Sequence, residues 1–264
     1  MQIRPHPGLA HVIRHYLVLD GAPTANGVHR LFADGNTGLV FNLDHATLCA
    51  TGNKPAHHAC WVYGQVKTYH DLSLTGSINW LVAVLQPYAA YHLWKVPAIE
   101  WFNGMFPAGE VLGNQVNAII NKLAKAQHVY DRIWLLDNFF LREIDKNPNP
   151  DPLIVQAVQY INKQEGNLSI ESLLQNLAVN ERMLERKFKL QVGITPKRFA
   201  DVVRLTRSAK RMQRITGRQL TGVAYESGYF DQAHFIKEFK KYTGITPHQY
   251  HARAHPLALN FLQL

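Results

Sequence analysis

At 264 residues and 47 % hydrophobic content the chain can bury two cores, and its length suits two domains better than one. Its two cysteines, Cys49 and Cys60, exclude a disulfide framework and a four-cysteine zinc site, and point to a reducing compartment. The net charge of +9 is uneven: residues 1–150 carry 11 Lys and Arg against 10 Asp and Glu, and residues 151–264 carry 17 against 9. A polyanion is therefore expected to engage only the second half, the plain alternative being a solvated basic surface.

No apolar run reaches the length of a membrane span, and residues 1–7 hold no signal-peptide core, so a cytoplasmic protein with no membrane partner is expected. Residues 28–106 read mostly as short strands. The runs 39–43 and 79–85 are apolar, of strand length, and bounded by Gly, Asn, Asp and Pro. Asp34, Gly35 and Asn36, and again Thr75, Gly76 and Ser77, mark turns. Strands at this spacing predict a sandwich or small barrel. The period then changes. Val116, Ile119, Ile120 and Leu123 share one helical face, and Ile133, Leu136, Phe140 and Ile144 share a second, with Trp134 and Phe139 beside it. These stripes either cover an open end of the sheet or form a homodimer contact.

Aromatic residues are dense in this half. Trp61, Tyr63, Trp80 and Tyr88 are candidates for lining an apolar ligand pocket, the alternative being an ordinary core. The 14 histidines are scattered, and the adjacent His57 and His58 would point to opposite faces of a strand, so no metal or other cofactor is expected. No nucleophile elbow, phosphate-binding loop or dinucleotide fingerprint is present, and no catalytic residue is assigned.

Pro148, Pro150 and Pro152 fall within residues 145–152 and mark a domain boundary, giving a β-rich domain at 1–147 and a helical one at 152–254. Asp151 caps a helix that Pro152 opens and Gly166 ends. Ser169 caps a short helix to Leu177, Ala178 and Val179 turn the chain, and Asn180 caps a helix over 181–190. There Leu184 and Phe188 face inward and Arg182, Glu185, Arg186 and Lys189 outward. A longer helix over 197–214 has an apolar side (Phe199, Val203, Leu205, Ala209, Met212) and a side expected to expose Arg204, Arg207, Lys210, Arg211 and, in part, Arg214. A second short helix covers 220–226. Gly228 turns the chain, and Asp231 caps a helix that ends before Gly244, with Phe235 and Phe239 inward and Gln232, Ala233, Ile236, Lys237 and Lys240 outward.

The two units share a closing stretch, Phe-Lys-x-x-x-Gly-Ile-Thr-Pro, at 188–196 and at 239–247, with Gly193 and Gly244 51 residues apart. Small or bidentate polar groups at a helix N-terminus suit base edges, and cations further along suit phosphates. A repeated helix-turn-helix in a basic half therefore points to double-stranded DNA.

Residues from about 153 to 251 resemble the DNA-binding domain of the AraC/XylS family of bacterial transcription regulators. The likeness rests on residues 228–235 (Gly-Tyr-Phe-Asp-Gln-Ala-His-Phe) with Phe239, Gly244 and Pro247. It implies seven helices in two subdomains, with recognition helices at about 181–190 and 232–241 in successive major grooves. Carried over by position, the base-reading places are Arg182, Glu185 and Arg186 in the first helix and Gln232, Ala233, Ile236 and Lys237 in the second. Asn180, Lys189, Lys197, Lys240 and Lys241 are expected at phosphates. Leu174 departs from the family's usual alanine, and Gly222 sits inside a short helix at a cost of about 1 kcal/mol. Residues 29–42 more loosely resemble the family's sensor domains. The expected architecture is thus two-domain α+β: a β-rich, cupin-like sandwich or barrel with two helices for effector binding or dimerisation, then an all-α double helix-turn-helix domain. A small-molecule effector, a second copy of the chain and, for an activator, RNA polymerase are the expected partners beside DNA. The alternatives are an enzyme of the DNA-repair methyltransferase type fused to a DNA-binding domain, which needs a reactive thiol, and a binder whose first half only dimerises.

Overall fold

The computed structural model describes residues 1–21, 27–44, 47–50, 58–113, 115–147, 149–214, 220–253 and 260–263. Two antiparallel sheets form the N-terminal half. The first runs β1 (Gln2–Ile3), β2 (Ile13–Gly21), β8 (Ile78–Leu85), β4 (Thr37–Asn42), β6 (Cys60–Tyr63), β9 (Met105–Pro107) in spatial order. The second runs β10 (Phe261–Gln263), β3 (Gly27–Phe32), β7 (Tyr69–Thr75), β5 (Thr47–Ala50). Strands begin earlier than the sequence suggests. β2 precedes the expected window because its residues are mostly half-buried and do not alternate cleanly.

Side-chain alternation divides the first sheet between two cores. Leu39, Phe41, Cys60, Val62, Leu81, Ala83 and Leu85 point outward from the sandwich. Val40, Trp61, Tyr63, Trp80, Val82 and Val84 point inward, toward Leu72 of the second sheet. Every residue of β4 is buried because both of its faces are covered.

Four helices cover the outer face: α1 (Ala89–Trp94), α2 (Ala108–Leu112), α3 (Gln115–Lys125) and α4 (Val129–Lys146). The stripes on α3 and α4 pack on the sheet's outer face rather than over an open end, while Tyr130 and Trp134 of α4 stay exposed. α1 and α2 are two short helices beyond the pair read from periodicity, being too brief to show a period.

Seven helices follow: α5 (Pro152–Lys163), α6 (Ile170–Leu177), α7 (Glu181–Val192), α8 (Pro196–Met212), α9 (Leu220–Glu226), α10 (Gln232–Thr243) and α11 (Pro247–Arg253). α5 to α7 pack around Ile154, Leu173, Leu184, Phe188 and Phe199. α9 to α11 pack around Val223, Phe235, Phe239 and Tyr250. α8 contributes to both clusters.

The expected exposed basic side of α8 is corrected by the structure. Nine of its residues are buried, and Arg204, Arg207, Lys210 and Arg211 are half-buried, while Arg214 just past its end is exposed as expected. Arg204 pairs with Asp201 at 3.2 Å and lies 4.7 Å over Tyr229, and Arg211 pairs with Glu165. The helix is wedged between the two helix-turn-helix units and the N-terminal half. A helical wheel drawn for one buried face misses this second and third neighbour.

The two halves touch at the repeated turns. Gly193 ends α7 at φ +89° with its Cα against the carbonyl of Ala98, where an added Cβ would lie 2.8 Å from that oxygen. Gly244 ends α10 at φ +72° against Arg30 and Tyr69. Arg30 is itself held by two 2.6 Å bonds to Asp71 and lies 4.1 Å over the Tyr69 ring. Each glycine is needed twice, for the left-handed helix cap and for the close approach.

Candidate nucleic-acid interface and the adjoining cavity

Both candidate recognition helices are built by the same local chemistry. The Asn180 side chain accepts the N–H of Met183 at 2.8 Å, and Asp231 accepts that of His234 at 2.7 Å. Each cap satisfies an otherwise unpaired donor at the end that would face DNA. Leu184, Phe188, Phe235 and Phe239 are buried to 1 % exposure or less, which fixes the opposite faces outward.

On α7, Arg182, Arg186 and Lys189 are exposed and Glu185 is half-exposed. Lys189 pairs with Glu185 at 3.6 Å, one turn back. Lys187 turns the other way and bonds Asp151 at 2.8 Å. Burial would raise the Asp151 carboxyl, but hydrogen bonds from Lys187, Gln191 and the Leu153 N–H, with the Lys187 charge, hold it below the usual carboxylate range. This cap of α5 therefore also anchors α7.

On α10, Ala233, Lys237 and Lys240 are exposed and Ile236 is half-exposed. The Gln232 side-chain carbonyl accepts from the Thr221 hydroxyl at 2.6 Å, which orients the side chain and leaves its amide N–H groups to donate to a base edge. Lys241 pairs with Glu238 at 3.1 Å, and Lys197 of α8 with Asp201 at 3.3 Å. Arg182, Arg186, Lys237 and Lys240 make no ion pair among the described residues. Tyr225 and Phe230 flank the start of α10 at 61 % and 84 % exposure. The sequence reading placed Phe230 only in the turn and family stretch and assigned neither residue to DNA, although an aromatic beside a helix cap is a visible signal.

A cavity of about 400 Å³ opens between the sheets and α8. Leu17, Leu31, Val40, Leu72 and Val82 line its body, and Arg14, Asp34, Lys210 and Arg214 stand at its polar end. Of the pocket residues read from the sequence, Tyr63 and Trp80 line it. Trp61 lies in the inward core behind Trp80, ring centroids 6.2 Å apart. Tyr88 lies elsewhere, packed in the first helix-turn-helix core with its hydroxyl donating to the His11 carbonyl at 3.0 Å. The Trp80 indole is 3 % exposed, and its Nε1 has no hydrogen-bond partner among the described residues. Burial, then the Arg14 charge, lowers His15 to about 4. Burial, then Arg14 and Arg207, lowers Lys210. Three cations, Arg14, Lys210 and Arg214, thus share the polar end with the carboxylate of Asp34. Arg14 was not read as a site residue, and Lys210 and Arg214 were read only as an exposed basic side, because the three converge on the cavity only through the tertiary fold.

Among the described residues no three His, Cys, Asp or Glu side chains are grouped to hold a metal ion, and no helix is long and apolar enough to cross a membrane. His57 and the Cys49 side chain lie outside the described residues. Cys60 is buried, which pushes its thiol well up from the ordinary value, the reverse of what a nucleophile needs.

A family model described as a helix-turn-helix domain matches residues 173–253, and a domain of unknown function (DUF6597) matches residues 1–107. The arabinose operon regulatory protein of Escherichia coli strain K12 is 26 % identical over 254 residues, 86 % of each chain. The chain belongs to the AraC family. The regulator MtrA of Neisseria gonorrhoeae is 31 % identical over 97 residues, 37 % of this chain and 31 % of MtrA. ToxT of Vibrio cholerae shares the two-part fold, with a TM-score of 0.51 at 14 % identity over 90 % of this chain and 97 % of that one. This AraC-family chain is a DNA-binding transcription regulator, and nothing in its relatives supports the methyltransferase alternative.

Proposed function

We propose that α7 and α10 enter successive major grooves on one face of duplex DNA, under the control of a small acid bound in the cavity. Arg182, Glu185 and Arg186 then read one set of bases. Gln232, Ala233, Ile236 and Lys237 read the other, mainly through thymine methyls and single hydrogen bonds. Asn180, Lys189, Lys197, Lys240 and Lys241 meet phosphates, the paired lysines exchanging their carboxylates for them. The observation that carries this reading is the pair of capped helices whose outward faces hold Arg182, Arg186, Lys237 and Lys240 without ion pairs. Residues 1–147 act as the effector module and 152–254 as the DNA-binding module. The regulator works in the cytoplasm, as a dimer through the exposed face of α4 that carries Tyr130 and Trp134, and an activating role adds RNA polymerase as partner.

The effector reading rests on the cavity's size, which suits a small ligand, its apolar body, the unpartnered Trp80 N–H and the cationic end. One form of ToxT is bound to (E)-4-(8-methylnaphthalen-1-yl)but-3-enoic acid, with a TM-score of 0.52 at 13 % identity. An apolar carboxylic acid satisfies the same four features here.

The test of the DNA reading is a binding comparison across salt. Arg186→Ala should lose roughly 1–3 kcal/mol on the specific site, chiefly at one base position. Lys240→Ala should weaken all sequences alike and flatten the salt dependence. Equal, sequence-independent losses for both variants would remove Arg186 as a reader.

A further inference from the structure

The strand β10 closes a circuit that DNA binding leaves unexplained. It follows the second helix-turn-helix unit. α11 ends at Arg253, and its Tyr250 is fully buried, with its ring centroid 5.4 Å from that of Phe239 and 6.1 Å from that of Phe32. β10 then adds to the edge of the second sheet, Phe261 opposite Leu31 and Gln263 opposite His29. Asn260 secures the pairing: its carbonyl accepts the Phe32 N–H at 3.0 Å, and its side-chain amide donates to the Phe32 carbonyl at 3.2 Å.

The Phe261 ring lines the cavity. It stacks on His29 at 4.9 Å with the planes 10° apart, and its centroid is 5.9 Å from that of Trp80. A three-residue edge strand supplies few ladder bonds, so the seated ring carries much of its attachment. That ring occupies the apolar space beside the Trp80 indole, whose N–H has no partner among the described residues.

We propose that β10 is a strap and that Phe261 is the cavity's built-in occupant. A small apolar acid entering beside Trp80 displaces the ring, strips β10 from β3 and releases the second helix-turn-helix unit from the N-terminal sheet. This rests on the effector-cavity reading and adds the device by which filling the cavity reaches the DNA-binding half. The coupling is reciprocal: whatever draws the second unit away also opens the cavity.

Competition with a tethered ring lowers apparent affinity by the fraction of time the cavity stands open. The test uses the full chain, Phe261→Ala, and a chain ending at residue 259, each titrated with naphthalene-1-acetate by calorimetry. Both variants should bind about fivefold tighter or more. Saturating the wild type should also speed hydrogen exchange of the Phe32 amide, which Asn260 now protects. Equal affinity in all three chains, or weaker binding in the variants, would overturn the strap and make Phe261 part of the wall. Unchanged Phe32 exchange at saturation would overturn it too. Binding by none of the three chains would overturn the cavity reading and the competition together.

Discussion

The repeated glycines Gly193 and Gly244 offer a sharp test of how the two halves are joined. Alanine at either must hold a left-handed φ, at a cost of about 1–2 kcal/mol. At Gly193 the added Cβ would meet the Ala98 carbonyl oxygen at 2.8 Å and its carbon at 3.2 Å. Backbone cannot swing aside, so the interface must part locally, adding about 1–3 kcal/mol as overpacking does. At Gly244 the Cβ would meet Arg30 Nη1 at 2.5 Å and the Tyr69 ring at 2.6 Å. Arg30 Nη1 donates to the Thr243 carbonyl at 3.4 Å, and the planar guanidinium cannot swing it aside without disturbing the Nε and Nη2 bonds to Asp71, each worth about 1.5–3 kcal/mol. Each substitution should therefore cost about 2–5 kcal/mol, a fall in melting temperature of roughly 5–15 °C for a chain of this size. Thermal unfolding followed by circular dichroism reads this directly. A fall of about 3 °C or less for both variants would show backbone strain alone and refute the docking of the two turns on the N-terminal half.

Other outcomes follow from single sites. Gly222 is exposed in α9, and an added Cβ meets nothing within 4 Å; Gly222→Ala should stabilise by about 1 kcal/mol in urea unfolding, and a loss would mean the helix is not formed there. His15 and His92 are both lowered to about 4, chiefly by burial and then by the charges of Arg14 and Lys95. Because their unfolded value is 6.5, the unfolded chain takes up protons first. Their contribution is complete above pH 6.5 and is lost as pH falls toward 4. Melting temperature should drop across that window, and His92→Gln should flatten the slope; an unaltered slope would contradict the assignment. Lys210→Gln should weaken naphthalene-1-acetate binding about tenfold or more, and an unchanged affinity would remove the cationic end from the site.

The C-terminal half was largely legible because its signals are local. The caps Asp151, Ser169, Asn180 and Asp231 and the stops Gly193 and Gly244 act within one helical turn, so helix limits fell within two residues of the structure. α8 was read less well: its partners lie on three sides and in distant sequence, so Arg204 and Arg211, read as solvent-facing, are half-buried and paired. The strands of residues 37–42 and 78–85 were visible as apolar runs because both faces of the sheet are covered. β10 was invisible, being three residues whose strand character comes only from β3. The cavity was half legible. Tyr63 and Trp80 belong to an aromatic cluster any reading would flag, whereas Tyr88 belongs to another core. Arg14, Lys210 and Phe261 are brought together by register and domain docking.

The central claim is that both helices read DNA, and selection of bound sequences from a random duplex pool tests it most directly. Two short enriched blocks about 10 bp apart are expected, one for each helix. Arg186→Ala should relax one block and Lys237→Ala the other. A single block, insensitive to one of these substitutions, would contradict reading by both helices.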